Sequence, residues 1–321
     1  MDNFQRRSRF SQEVVRGVQL SYRFETRQVQ VTRIRARELH PRKTHPLRLR
    51  IPSIMFFKTL FCVICLQIGS CPATAQTRAP FRLFEAMNFA GGPDFRSFGL
   101  EHLTIVDPHV LGPDVPDSGQ VQQALAVPRS NEYLNIDIES WPLEGPDQAS
   151  SIAKYRKTLS AFRKADPSVK LGLYAVLPIR DHWRAIGHQG AVELDDWKQQ
   201  NTTIASSLVS HVDALFPSLY TFYGDKDAWV AYAQANIEEA RRISQGKPVY
   251  CFLWPQFHKT LAFLPGDLWY AQLDTCRRLA DGIVIWGTIA SNSPYRPMKW
   301  DGKAEWWQAT LRFLQEQGKI P

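Results

Sequence analysis

Apolar and polar positions along residues 80–321 fall into two alternating rhythms. Short runs rich in branched and aromatic residues recur at 82–89, 103–107, 133–139, 169–177, 212–220, 248–254 and 282–287. Between the later runs lie longer stretches with apolar residues three or four apart, at 147–165, 192–210, 225–244, 267–280 and 302–317. The first rhythm predicts strands and the second amphipathic helices. Asp147 and the Pro265-Gly266-Asp267 punctuation mark two helix starts. Strands that are apolar almost throughout, with helices between them, belong to a parallel sheet covered on both faces. At least seven such units predict an α/β fold of the (β/α) TIM-type barrel class, seven-stranded and distorted. No Gly-x-Gly-x-x-Gly or Walker loop follows a strand, which argues against a doubly wound nucleotide-binding sheet.

Charge changes this picture little. The net charge of +8 suggests an anionic partner, yet residues 1–54 hold 13 Lys and Arg against 4 Asp and Glu, leaving 26 against 27 in the remainder. The basic surplus belongs to the leader, and a nucleic-acid partner is not expected. After the leader come Met55-Phe56-Phe57-Lys58, an apolar run, and Ala73-Thr74-Ala75. That is the anatomy of a secretory signal, and the run is too short to span a bilayer. Residues 1–54 are therefore expected to lie outside the mature protein, 55–75 to be a signal peptide, and 76–321 to form one barrel domain, secreted or periplasmic. The stretch Ile68-Gly69-Ser70-Cys71 also resembles a bacterial lipobox. Lipidation at Cys71 would be the one route to a membrane anchor. Cys251 and Cys276 remain in the mature part, too few for a disulfide framework, and no Cys-x-x-Cys or His-x-x-x-His cluster suggests a metal. No cofactor is expected.

In a barrel of this class, chemistry gathers at the C-terminal ends of the strands. Those ends carry Asp137 and Glu139, then Tyr174, Tyr220, Trp254 and Trp286, with Trp141 and Trp183 on loops. Residues two apart on a strand face one side, so Asp137 and Glu139 are expected to share the barrel mouth. Two carboxylates so close cannot both ionise cheaply, and the pair should hold a proton near neutral pH, as a general acid requires. The aromatic rings suit the C–H faces of sugars, which makes a polysaccharide or oligosaccharide the expected partner. An ordinary glycosidase needs a second carboxylate across the scissile bond. The other strand ends offer Tyr and Trp, Glu85 sits early in its run, and Asp181 and Asp225 read as loop or capping acids. The missing carboxylate points to a nucleophile supplied by the substrate itself, the N-acetyl group of a 2-acetamido sugar. Glu139 would then protonate the leaving oxygen while Asp137 orients the acetamido group.

Four motifs, in order, resemble the animal and venom hyaluronidases. They are Asp137-Ile138-Glu139-Ser140-Trp141-Pro142, Gly172-Leu173-Tyr174 with Pro178 after it, Phe216-Pro217-Ser218-Leu219-Tyr220, and Gly282-Ile283-Val284-Ile285-Trp286-Gly287. The similarity runs from about residue 82 to 317, as for a distant, bacterial-type member. It implies a seven-stranded barrel, substrate-assisted hydrolysis with Glu139 as acid/base and Asp137 as acetamido partner, Tyr174 and Tyr220 as hydrogen-bonders, and Trp286 as floor of the sugar site. The chain departs from the family in lacking its structural disulfides, in having Ile138 between the acids, and in placing Phe252 where the family has tyrosine. Asn135-Ile136-Asp137-Ile138-Glu139 also echoes the Asp-x-Asp-x-Glu theme of chitinases, which leaves another N-acetylated glycan open as substrate. A barrel that binds carbohydrate without cleaving it is the alternative of a different class.

Overall fold

The computed structural model describes residues 79–287 and 297–321; the basic extension, the signal segment and Cys71 lie outside the described residues. Seven strands follow one another: β1 (Arg82–Met87), β2 (Glu101–His102), β3 (Thr104–Val106), β4 (Tyr133–Ile136), β5 (Lys170–Leu173), β6 (Tyr250–Leu253) and β7 (Gly282–Gly287). All pairs are parallel, in two ladders ordered β2-β1-β7-β6 and β3-β4-β5. The two ladders do not merge into one continuous sheet, but neighbours continue round a ring. At one seam β2 and β3 are a single run of chain interrupted by Leu103, whose N–H donates to Glu85. At the other, the segment 212–221 bridges both sides, Tyr174 to Phe216 on one flank and Leu215 to Val249 and Ser218 to Phe252 on the other. The fold is the expected distorted (β/α) barrel with seven staves.

The stave at 212–221 differs from the expected strand at 212–220 for a local reason. Pro217 has no N–H to give, so the ladder there breaks into isolated bridges. The helices lie where their periodicity put them: α2 (Gln148–Ala165), α3 (Ala191–Leu208), α4 (Lys226–Ile243), α5 (Gly266–Leu279) and α6 (Glu305–Glu316). A further helix, α1 (Ser118–Leu125), begins with Asp117 and Gln120 capping each other's backbone N–H. Asp225 caps α4 through the Ala228 N–H at 3.0 Å, as a loop acid was expected to do.

Period-two alternation sorts the buried apolar residues into two clusters. Leu83, Ile136, Ile138, Leu171, Leu173, Leu253, Ile283 and Ile285 point outward beneath the helices. Phe84, Leu103, Tyr133, Phe216, Tyr250, Phe252 and Val284 fill the barrel. Interior rings of this size fit only because two strands carry glycine. A Cβ on Gly172 would stand 2.1 Å from Phe216, and one on Gly282 would stand 2.9 Å from Tyr250. The N-terminal end is closed by Arg82, which bonds Glu101 at 3.0 Å and Glu132 at 2.6 Å, with its guanidinium 4.6 Å over the Phe84 ring. A filled interior and a sealed floor leave the C-terminal mouth as the accessible end.

Candidate active site

The β4 ladder continues one residue beyond the strand, because the Asp137 N–H donates to Val106 at 2.9 Å. Asp137 thus keeps the inward phase of Tyr133 and Asn135, while Ile136 and Ile138 stay in the outer shell. The chain then turns away. The Tyr155 hydroxyl on α2 donates to the Ile138 carbonyl, and the Trp141 indole packs 4.9 Å from the Tyr155 ring and donates to Pro113 at 2.9 Å. Glu139 consequently sits in an exposed turn on the lip of the mouth rather than on the strand itself. The expected strand 133–139 is shorter than its alternation suggested, and the two acids meet across a strand end and a turn.

Their environments differ. Asp137 Oδ1 is enclosed and lacks a hydrogen-bond partner, as do both polar atoms of the Asn135 amide one inward position below. Burial first, then the nearby Glu139 and Asp107 carboxylates, push the Asp137 carboxyl well above the usual range, against the pull of Arg180. Of the pair, the inner member is therefore the one pushed toward its protonated form.

Glu139 opens onto a cleft of about 240 Å³, shared with Tyr174, Arg180, Asp181, Trp141 and Tyr155 among others. Tyr174 is buried, its hydroxyl 3.0 Å from Ser218 Oγ. Desolvation and the Glu139 charge hold its proton firmly. Tyr220 stands 5.8 Å from Tyr174, ring to ring, and its hydroxyl is kept protonated by burial and by the Tyr174 hydroxyl. Both tyrosines are hydrogen-bond donors across the ordinary pH range. Tyr220 also stacks on Trp286, with centroids 5.5 Å apart and planes 21° apart. Trp254 meets both edge-on, at 5.3 Å and 5.1 Å, and its indole N–H donates to Gln256 at 2.9 Å. Gly287 makes room: a Cβ there would lie 2.5 Å from the Trp254 ring.

The structure thus gathers Asp137, Tyr174, Tyr220, Trp254 and Trp286 at one end of the barrel, with Glu139 at the lip. Trp141 lines the cleft wall with its indole N–H already committed to backbone. Three residues that the sequence did not single out also belong here. Arg180 lies with its guanidinium 5.3 Å over Phe222 and its charge felt by Asp137 and Tyr174. Ser218 bonds Tyr174, and His258 packs 5.7 Å from Trp254. Arg180 closes the 169–177 run after Pro178, the one hint its position gave.

The remaining acids are committed elsewhere. Glu85 has the opposite phase to the interior residues Phe84 and Ala86, and bonds His102 at 2.9 Å and the Met87 N–H at 2.9 Å. Asp181 holds Arg184 through backbone and side chain, and Glu144 pairs with the same arginine. Asp107 caps the turn at Pro108–Leu111. Among the described residues, no group of three or more His, Cys, Asp or Glu side chains gathers as a metal site would need, and no helix is long and apolar enough to cross a membrane.

No family model and no curated protein sequence matches the chain. Solved structures do. Bee venom hyaluronidase superposes with a TM-score of 0.52 at 15% identity, over 74% of this chain and 97% of that one. The catalytic domain of a hyperthermophilic chitinase from Pyrococcus furiosus gives a TM-score of 0.42 at 10% identity, over 76% and 98%. The first likeness shows the (β/α) barrel and, at its low identity, extends no further than fold.

Proposed function

We propose that this barrel is a glycoside hydrolase, an endo-β-N-acetylhexosaminidase that cuts an N-acetylhexosamine-containing polysaccharide with the help of the substrate's own acetamido group. The supporting observation is the asymmetric acid pair: a proton-holding Asp137 inside the mouth and an exposed Glu139 on the cleft. A pair that carries one proton can pass it between its members. The amide N–H of an N-acetyl group seated at Asp137 stabilises the carboxylate there, and the same sugar strips water from Glu139. The proton then resides on Glu139, which delivers it to the glycosidic oxygen as the acetamido carbonyl oxygen attacks the anomeric carbon and the C–O bond breaks. Asp137 accepts the amide hydrogen bond as charge develops on the resulting oxazolinium ion. Tyr174 and Tyr220 are donors within the same mouth, suited to hold the acetamido oxygen in line. Trp286, stacked on Tyr220, offers a π-face to the sugar ring. Glu139, now a carboxylate, draws a proton from the water that opens the ring intermediate.

The other cleft carboxylates are held by Arg184, which supports a nucleophile from the substrate rather than from the chain. Export through residues 55–75 belongs to the same proposal, as does the polymer's place outside the cell. Mass analysis of hyaluronan, chondroitin and chitin digests tests it. Products one water heavier, lost in Glu139→Gln by about 10²- to 10⁴-fold, are expected; unsaturated ends, or no product from any of the three polymers, would refute it.

A further inference from the structure

Five large apolar side chains are exposed among the described residues, and two of them, Trp183 and Tyr223, touch each other at 5.5 Å between ring centroids. Trp183 is 38% exposed and Tyr223 42% exposed. They come from the chain after β5 and the chain after the 212–221 stave, both at the C-terminal end of the barrel. Trp183 is not on a loose loop tip. The turn His182–Ala185 that carries Trp183 is capped by Asp181, and Arg184 pins it to Glu144 and Gln200. His182 and His188 flank Trp183 at 4.7 Å and 4.8 Å. Burial lowers the pKa of His182, and the Lys259 ammonium lies 5.3 Å over the Tyr223 ring, so the patch pairs exposed rings with a cation. An exposed ring on a braced turn, in contact with a second exposed ring, is a patch with a use.

Continuity says what the use is. From the mouth, rings follow one another outward: Trp286 to Trp254 at 5.1 Å, Trp254 to His258 at 5.7 Å, His258 to Phe222 at 4.6 Å. Tyr223 is the next residue, and Trp183 packs on it. On the other side, Arg180 and Asp181 connect the same turn to the cleft that Glu139 opens onto. An exposed aromatic pair one residue beyond the mouth's last ring, and next to the cleft through Arg180 and Asp181, suits the C–H face of a further pyranose.

We propose that Trp183 and Tyr223 form a distal subsite that stacks a sugar unit of the polymer, beyond the unit held at Glu139. The assignment rests on the glycosidase reading and deepens it, because it makes the enzyme sense chain length. The test is the ratio of kcat/KM for hexamers over trimers of chitin and hyaluronan in wild type, Trp183→Ala, Tyr223→Ala, Trp183→Tyr and the exposed-ring control Phe263→Ala. The ratio is expected to fall about tenfold in both ring-to-Ala variants at positions 183 and 223, through KM. It should recover in Trp183→Tyr and hold in Phe263→Ala. Hydrolysis by wild type with an unaltered ratio in Trp183→Ala and Tyr223→Ala overturns the subsite while leaving the glycosidase standing. Failure of wild type to bind or cleave any of these oligomers overturns both.

Discussion

The Phe216 ring occupies the space that a Cβ on Gly172 would need, its Cε2 2.1 Å from that point. The pair locks the interior of the barrel just beneath Tyr174. Gly172→Ala must displace a fully buried ring in a filled interior, which costs about 1–3 kcal/mol. Urea unfolding should show a lower midpoint with an unchanged slope; an unchanged midpoint would mean that the interior has slack.

Asp137 gives stability a pH dependence of definite sign. Its carboxyl titrates higher in the folded chain than in the unfolded one, so its contribution is complete at low pH and is lost as pH rises through the folded value. Asp137→Asn removes that loss. The stability gap between variant and wild type, from unfolding curves between pH 4 and 8, is expected to widen in the variant's favour as pH rises. A gap that stays constant contradicts the assignment of the proton to Asp137.

His258 acts in the opposite direction. Burial, with Arg180 and Lys259 adding repulsion, lowers it to about 4. The unfolded histidine, near 6.5, binds its proton first, so stability present above that value drains away as pH falls toward 4, by at most about 3 kcal/mol. His258→Gln should flatten this acid limb in the same unfolding series. An acid limb identical to wild type would show that His258 is not its source.

Cys251 on β6 and Cys276 on α5 are buried, and their thiols share a hydrogen bond. Burial pushes the Cys251 thiol up, away from the reactive thiolate. A thiol reagent such as DTNB should leave both untouched in the native domain and titrate both in urea. Rapid labelling without denaturant would indicate that β6 and α5 part readily.

Most strands and helices were legible because their periodicities are strong: α4 and β7 follow the expected ranges to within two residues. The rings at the mouth were legible because alternation forces Tyr174, Trp254 and Trp286 into one phase. Glu139 was harder. Its alternation with Asp137 reads as strand, and only the Tyr155 bond to Ile138 and the anchoring of Trp141 reveal the turn. The segment at 212–220 hid its breaks, since Pro217 acts on a ladder whose partners lie far away in sequence. Helix α1 carried its sign in the open, Asp117 and Gln120 three apart, within a stretch of weak periodicity. His258 could not be picked out, and Arg180 and Ser218 only as neighbours of Pro178 and Tyr220, because their importance comes from ring closure and not from local pattern.

Arg82 and its two glutamates have a further consequence, one of traffic. Among the described residues, Arg82 with Glu101 and Glu132 bolts the floor and rings furnish the hall behind it, so the way in lies at the opposite, C-terminal end. On the glycosidase proposal, a sugar held at Glu139 arrives and leaves through the C-terminal mouth. A long chain lying across that threshold can shed its pieces sideways, whereas a short one must back out before the next guest arrives.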